Sequence, residues 1–273
     1  MPIIDGSGLS RVLREELKNK AKDLKHNPLL AVILVGNDQE SERYVKLKKR
    51  AVEEIGAQCQ VHHLREATTA EVVALVNKLN QDTSVHGVLV QLPLPSGVDQ
   101  DEVITAIKLS KDVDGFHPTN LGLGYSGQQV FTSCPSQAIL DLVDEYIPTP
   151  RPRVLLIGDS LDLIKPLTSL FVGRQCPVTV LPEWQPWIDY SLYQVVVLEN
   201  GSPRSVSGSM FADGSLVIDA GFHYLEGKAC GIAVTADFES GVGPWLLPVP
   251  GGLGPLLITM LLANLVKAAS RNG

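Results

Sequence analysis

The sequence predicts an α/β fold of two domains, each built around a mostly parallel sheet. Short continuous apolar runs alternate with segments of helical period, which is typical of strands covered by helices on both faces. A proline-rich break at residues 148–152 separates two such series, and a length of 273 residues is enough for about two domains. Because strand–helix–strand units cross over right-handedly, each series should form one parallel sheet.

The first series contains three helices and three strands. The first helix is amphipathic, the second ends at Gly56, and the third has a threonine cap with Glu71 in its first turn. The first strand is continuously apolar and closes at a glycine, and the last one is stopped by prolines. In chain order we predict a helix over 8–25, a strand over 29–35, a helix over 41–55, a strand over 58–64, a helix over 69–80 and a strand over 87–92.

The second series follows a loop-rich stretch over residues 111–136. In chain order we predict a helix over 136–146, strands over 154–157, 177–181, 195–198 and 216–218, and a helix over 255–269. This final helix is too apolar to face water along its whole length, so it must pack on a domain. The first domain is one candidate.

The composition excludes several classes of function. A net charge of −7 argues against nucleic acid or an anionic membrane as the main partner. No uninterrupted apolar run reaches the roughly 18 residues of a membrane span, and residues 1–6 lack the pattern of a signal peptide. The four cysteines lie far apart without zinc-ligand spacing, so we predict free thiols in a reducing cytoplasm and no metal site.

Lys48 occupies an unusual position on the second predicted helix. At about 100° per residue, Tyr44, Lys48, Ala51 and Ile55 fall within roughly 60° of one another, whereas the neighbouring basic residues face the opposite side. A lysine in an apolar stripe is costly unless it is partnered or deprotonated, and a deprotonated lysine can transfer protons. The alternative is a buried stem with the ammonium group at the rim.

Three further segments carry polar groups at strand ends or in loops. Gln91 ends an apolar strand, at the edge where open parallel sheets bind ligands, although a structural glutamine explains it equally well. Asp112 and Asp114 share a glycine-containing loop that lacks the rest of a calcium-binding EF-hand, and one of them can instead form the turn. The glycine- and proline-dense loop over 248–255 leads into the last helix, where amides can meet an anionic ligand or simply allow a tight connection.

Taken together, these segments resemble the bifunctional methylenetetrahydrofolate dehydrogenase/methenyltetrahydrofolate cyclohydrolase family. The resemblance is carried by residues 33–36, 41–48, 87–95, 111–115 and 248–255. Their order and spacing extend over nearly the whole chain, which makes the combined pattern far more specific than any single motif.

The resemblance implies a folate-binding domain of residues 1–125 with 250–273 and a Rossmann-like NAD(P)-binding domain of residues 126–249. It implies Lys48 as the general acid/base, with Tyr44 and Gln91 as its catalytic companions, and Asp114 as the pterin-binding residue. The further implied substrate contacts are Tyr44, Gly251, Gly252 and Pro255.

The implied chemistry is hydride transfer from 5,10-methylenetetrahydrofolate to a nicotinamide cofactor, with NADP as the usual acceptor. Water then adds to the methenyl product and gives 10-formyltetrahydrofolate. No metal is needed, because the methenyl carbon is already an electrophilic amidinium. A cytoplasmic homodimer is the family expectation.

The nucleotide half departs from the family pattern at the turn over residues 158–166. The implied cofactor contacts there are Gly158, Asp159, Ser160, Lys165 and Pro166. Asp159 replaces an arginine suited to a 2′-phosphate, Ile164 replaces a glycine, and Glu199 stands in a turn where the family has small residues. We therefore expect an intact cyclohydrolase with weak NADP binding and a weakened or lost dehydrogenase activity.

Two alternatives to this expectation remain. The first is a fully bifunctional enzyme that uses NADP or NAD, in which Glu183 could meet a ribose 2′-hydroxyl. The second is a non-catalytic folate-binding paralogue. The joint presence of Lys48, Tyr44, Gln91 and Asp114 argues against it.

Overall fold

The protein forms two compact units in a computed structural model that describes residues 3–239 and 243–271. The three-stranded unit comprises Arg11–Leu121, Gln129–Thr132 and Ile258–Gly273, and the five-stranded unit comprises Met1–Ser10, Gly122–Gln128 and Ser133–Leu257. Met1 and Pro2, part of the segment assessed for a signal peptide, and the predicted domain limits at residues 1 and 273 lie outside the described residues. The predicted α/β fold with parallel sheets is confirmed.

The first series of elements builds the three-stranded sheet. Its elements are α1 (Gly6–Lys22), β1 (Leu29–Val35), α2 (Gln39–Glu54), β2 (Gln58–Leu64), α3 (Thr69–Gln81), β3 (Gly87–Val90) and α4 (Gln100–Thr105). The strand order is β2-β1-β3, with both pairings parallel. Every residue of β1 is buried, which explains why this strand is apolar throughout.

The second series builds a five-stranded sheet. After the connecting helix α5 (Pro118–Leu123), its elements are α6 (Cys134–Tyr146), β4 (Val154–Ile157), α7 (Ile164–Gly173), β5 (Val178–Leu181), β6 (Val195–Leu198), β7 (Leu216–Asp219), β8 (His223–Leu225), β9 (Lys228–Cys230) and β10 (Trp245–Leu247). The order β10-β7-β6-β4-β5 is parallel throughout, and β8 and β9 form a separate antiparallel hairpin. Since β5 lies on one side of β4 and β6 on the other, the strand order reverses between β4 and β6.

Several predicted boundaries differ from the structure for local reasons. The predicted strand over 87–92 ends at Val90, although the Gln91 amide still donates to the Ile33 carbonyl at 2.9 Å. The helix predicted from residue 136 begins at Cys134. Pro135 fits the first turn of this helix, because amides there have no partner within the helix and the missing N–H of a proline costs no hydrogen bond. The stretch over 111–136 contains α5, which has 6 residues and is too short to show a helical period.

The last helix, α8 (Leu253–Arg271), is long enough and apolar enough on average to be a candidate membrane span, although its apolar residues do not form one uninterrupted run. However, 61% of its apolar window is buried within the protein, as in the core helix of a soluble domain. Polar residues are buried along it too. Asn264 Nδ2 donates to the carbonyls of Val113 (2.8 Å) and Thr132 (3.1 Å) in the three-stranded unit.

The limits of the units differ from the predicted domain limits at the start of the chain. Ile3 pairs in parallel with Leu246 of β10, and the Ile4 amide donates to the Leu246 carbonyl at 2.8 Å. This main-chain pairing places the first described residues in the five-stranded unit. The assignment of folate and nucleotide binding to separate domains stays a prediction.

Asp112 organises the loop that contains the two aspartates. It is 1% exposed. Its Oδ1 accepts from the amides of Gly115 and Phe116, both at 3.2 Å, and its Oδ2 accepts from the His117 amide at 3.0 Å and from Asn120 Nδ2 at 2.7 Å. Asp112 is therefore the turn-forming aspartate. Burial raises the pKa of this carboxyl to about 6.

The Asp112→Asn variant should alter the pH dependence of stability. The pKa of Asp112 is about 6 in the folded protein against an ordinary value of 3.8, so the folded state binds the proton more tightly. The resulting stabilisation of the folded state is complete below the ordinary pKa of the unfolded chain and is lost as the pH rises through the pKa of the folded protein. Urea unfolding of both proteins gives the difference in free energy of unfolding, wild type minus Asp112→Asn. This difference should rise by on the order of 2 kcal/mol as the pH falls from about 7 to about 4.

A matched control for this measurement is Asp101→Asn, which changes an exposed aspartate in the first turn of α4. If the Asp112→Asn difference changed with pH no more than the Asp101→Asn difference, the assigned effect of burial on Asp112 would be wrong.

Candidate active site

Lys48 and Gln91 meet at the carboxyl edge of the three-stranded sheet. Lys48 Nζ donates to Gln91 Oε1 at 3.1 Å. Gln91 is 8% exposed, and its Nε2 donates to the Leu92 carbonyl at 2.7 Å, which turns the amide oxygen toward the lysine. Lys48 itself is half-buried. The lysine on the apolar stripe is thus partnered by a neutral amide, and its stem is only partly covered.

Helix α2 carries Lys48 on the face that packs against the unit. Asp38 caps its N-terminus by accepting from the Ser41 amide at 2.7 Å. The buried residues of the helix are Ser41, Val45, Ala51 and Val52. The wheel position of Lys48 falls among these residues, whereas Lys46, Lys49, Arg50 and Glu53 are exposed. The helix therefore holds the lysine beside the sheet while its other charged residues remain in water.

Tyr44 departs from the prediction that it shares the covered apolar stripe. Its side chain is 54% exposed. Tyr44 lies in the second turn of α2, the helix that follows the carboxyl end of β1. An exposed aromatic ring in this position is better placed to stack on a flat heteroaromatic ligand than to pack in the core.

Asp114 lies two residues beyond the turn-forming Asp112 and is partly exposed. The adjacent Lys111 has a structural role, since its Nζ donates to the carbonyls of Leu79 (2.8 Å) and Asp82 (2.6 Å). Burial lowers the pKa of Lys111. The role of Asp114 in binding substrate, which the family resemblance implies, stays a prediction.

The predicted substrate contacts Gly251, Gly252 and Pro255 belong to the five-stranded unit. Gly252 packs so closely that a Cβ there would lie 2.9 Å from Leu247 Cγ and would collide with the Pro248 carbonyl oxygen. The carbonyl of Pro255 accepts from Ser10 Oγ at 3.1 Å. These contacts explain the glycine as a tight connection, and a role in binding substrate stays a prediction.

The turn after β4 has the form that parallel α/β sheets use for dinucleotide phosphates. It starts at a glycine, leads into α7 and lies where the strand order reverses. Gly158 is buried with φ +150°, and a Cβ there would lie 2.9 Å from Ile164 Cγ1 and would collide with the Glu199 carboxylate. Lys165 is exposed and Pro166 is buried in the first turn of α7.

Glu199 is the functional candidate that sequence reasoning missed. It departs from the family pattern, and the signal in the sequence for a functional role was an acidic residue directly after a buried strand. Its Oε2 accepts from the amides of Asp159 and Ser160, both at 3.2 Å. A nicotinamide dinucleotide therefore fits the topology of the sheet and the glycine, whereas its phosphates would reach these two amides only after Glu199 moves.

Family models match most of the chain. Residues 4–114 match the catalytic domain of tetrahydrofolate dehydrogenase/cyclohydrolase, and residues 133–273 match its NAD(P)-binding domain. The bifunctional protein FolD 1 of Syntrophomonas wolfei is 40% identical over 98% of this chain and 99% of its own length. The bifunctional protein FolD of Acetivibrio thermocellus is also 40% identical, over 98% of this chain and 96% of its own.

Solved structures agree with this assignment. The bifunctional FolD of Campylobacter jejuni has a TM-score of 0.90 at 36% identity, covering 98% of both chains. The Trypanosoma brucei enzyme, solved with NADP and an inhibitor, has a TM-score of 0.86 at 26% identity, covering 98% of this chain and 97% of its own. This chain belongs to the tetrahydrofolate dehydrogenase/cyclohydrolase family.

Proposed function

We propose that this chain is a bifunctional 5,10-methylenetetrahydrofolate dehydrogenase and 5,10-methenyltetrahydrofolate cyclohydrolase. The observation that carries the proposal is the hydrogen bond of 3.1 Å from Lys48 Nζ to Gln91 Oε1 at the sheet edge. Both residues lie in the segment that matches the family's catalytic domain. The same bond argues against a non-catalytic paralogue.

The bifunctional activity is better supported than the weakened dehydrogenase expected from Asp159 and Ile164. Relatives of 40% identity over nearly the whole chain are named bifunctional, and residues 133–273 match the NAD(P)-binding domain. A second candidate, a cyclohydrolase without dehydrogenase activity, is favoured by the Glu199 carboxylate in the dinucleotide turn. The assays below distinguish NADP from NAD as the cofactor.

Lys48 is the residue that we assign to proton transfer in the cyclohydrolase step. The oxygen of water adds to the cationic methenyl carbon, and a proton leaves the new C–OH₂ group for the lysine amine. Formation of the formyl C=O then releases the remaining hydroxyl proton to water and breaks one C–N bond, and the lysine returns its proton to the leaving nitrogen. Methenyl cation and water thus give 10-formyltetrahydrofolate and one released proton.

Gln91 is a positioning residue for this lysine. Its buried amide oxygen accepts from Lys48 Nζ and fixes the direction of the amine. Because the partner is a neutral amide and not a carboxylate, it orients the amine without adding a charge that would hold the proton there. This arrangement suits a group that must both accept and donate.

The remaining folate contacts bind and orient the substrate. Asp114 would accept paired hydrogen bonds from the pterin amino group and ring N–H, and Tyr44 would offer its exposed ring. A bound nicotinamide cofactor supplies the hydride acceptor of the dehydrogenase step. That step converts the methylene carbon into the methenyl carbon, so the product of one reaction is the substrate of the other.

We also propose a cytoplasmic location, since all four cysteines are free thiols and three of them are buried. The homodimer implied by the family resemblance stays a prediction.

Assays of both reactions test the proposal. The wild type should form reduced cofactor from methylenetetrahydrofolate with NADP or NAD, and should hydrolyse methenyltetrahydrofolate in a separate assay. Hydrolysis without reduced cofactor would replace the proposal with the cyclohydrolase-only candidate. Failure of both reactions would leave the non-catalytic paralogue.

The Lys48→Met variant should fold normally and lose methenyltetrahydrofolate hydrolysis by about 100-fold or more, because it removes the proton-transferring amine but keeps the stem. Turnover is measured after circular dichroism has shown native secondary structure. Lys46→Met is the matched control, since Lys46 is exposed on the same helix and pairs with Glu42 at 3.5 Å. Near-normal turnover in a folded Lys48→Met protein would remove Lys48 from the mechanism.

The Asp114→Ala variant should weaken folate binding about tenfold or more, since paired hydrogen bonds to a carboxylate are lost. Calorimetric titration with a folate ligand measures the dissociation constant. Asp101→Ala, at an exposed position on α4, should leave that constant unchanged. Equal affinities of wild type and Asp114→Ala would contradict the assignment of Asp114.

A further inference from the structure

Glu199 stands where the strand order of the five-stranded sheet reverses. Leu198, the last residue of β6, pairs with Ile157, the last residue of β4. The Glu199 amide continues this ladder by donating to the Ile157 carbonyl at 2.8 Å. Its side chain therefore starts at the carboxyl edge of two neighbouring central strands, which is where open parallel sheets bind ligands.

The Glu199 carboxylate caps the turn that follows β4. One oxygen, Oε2, accepts from both the Asp159 and the Ser160 amides at 3.2 Å. The next residue, Asn200, supports the arrangement, since its Nδ2 donates to the Pro182 carbonyl at 3.0 Å and lies 3.4 Å from Asp159 Oδ1. Glu199 is half-buried, so its carboxylate has a route to water.

The other amides at the start of α7 are also bonded within the chain. Ser160 Oγ accepts from the amides of Leu163 and Ile164, both at 3.2 Å. The Ser160 carbonyl accepts from the Lys165 amide at 3.1 Å. Of these amides, only those of residues 159 and 160 donate to a side chain from outside the turn, that of Glu199, and an incoming anion could replace that side chain.

We propose that Glu199 is an internal occupant of the phosphate turn and competes directly with the pyrophosphate of a nicotinamide dinucleotide. Both groups are anions that need the same two amides, and two like charges at short range repel each other strongly in a partly desolvated site. Glu199 must therefore leave the turn when the pyrophosphate occupies it. The inference rests on the proposed function, which supplies the dinucleotide as the ligand.

The competition predicts that removing the carboxylate strengthens nucleotide binding. The Glu199→Ala variant frees both amides, and we expect a dissociation constant at least about tenfold lower than that of the wild type. The Glu199→Gln variant keeps an oxygen that can accept but removes the charge, so its dissociation constant should fall between the two. The factor should be similar for NAD and NADP, because the two share the pyrophosphate.

Calorimetric titrations of wild type, both Glu199 variants and a control with NADP, NAD and inorganic pyrophosphate test this. The control is Glu145→Gln, which removes the same charge from an exposed position on α6 and should bind like the wild type. Unchanged affinity in folded Glu199 variants would overturn the proposal. Tightening for NADP alone would also overturn it, since the conflict would then lie with the 2′-phosphate.

A measurement on the wild type keeps the proposal testable if the variants fail to fold. The backbone amide resonances of Asp159 and Ser160 should shift when NADP is added, because their acceptor changes from carboxylate to phosphate. Resonances that stay unchanged at saturating NADP would overturn the proposal. If the wild type forms reduced cofactor while Glu199→Ala shows no gain in affinity, only this inference fails. If neither the wild type nor any variant binds a dinucleotide, the proposed dehydrogenase activity fails as well.

Discussion

The position of the reactive lysine depends on the parallel pairing of β1 with β3, a ladder that contains no catalytic side chain. The Gln91 amide donates to the Ile33 carbonyl at 2.9 Å, which fixes the start of its side chain at the sheet edge. The carboxamide then lies between Lys48 Nζ at 3.1 Å and the Leu92 carbonyl at 2.7 Å. Because β1 is buried along its whole length, this pairing is part of the core, so the geometry of the lysine is tied to the stability of the core.

The sequence predicts those parts of the molecule that follow from local periodicity. The helical period places Lys48 on the packed face of α2, and the strand-end rule places Gln91 at the same edge, where the structure shows the contact implied by the family resemblance. Tyr44 has the same period but is 54% exposed, because the helical period alone does not fix which positions of a face other elements cover. The 6-residue helix α4 was missed because so short a segment shows no period.

The nucleotide turn shows the limit of comparing residue types alone. Asp159 and Ile164 are the substitutions in the turn that depart most clearly from the family pattern. However, the Asp159 side chain is exposed and its charge is screened by water. Ile164 is 1% exposed and fills the space beside Gly158, so it packs the base of the turn. Glu199 is distant in sequence from the turn, and only the pairing of β6 with β4 brings its carboxylate onto the two amides.

Among the carboxylates that accept from main-chain amides, Asp112, Asp219 and Glu199 show how exposure separates structural from exchangeable roles. Asp112 and Asp219 are each 1% exposed, and burial raises the pKa of both to about 6. Asp219 accepts from the amides of Gly221 at 3.1 Å and Ala233 at 2.8 Å, and both hydrogen bonds are buried. Glu199 makes comparable bonds but is half-buried at a ligand-binding edge. Its carboxylate can rotate into water while an incoming anion satisfies the same two amides, so the cost of an unpaired buried N–H never arises.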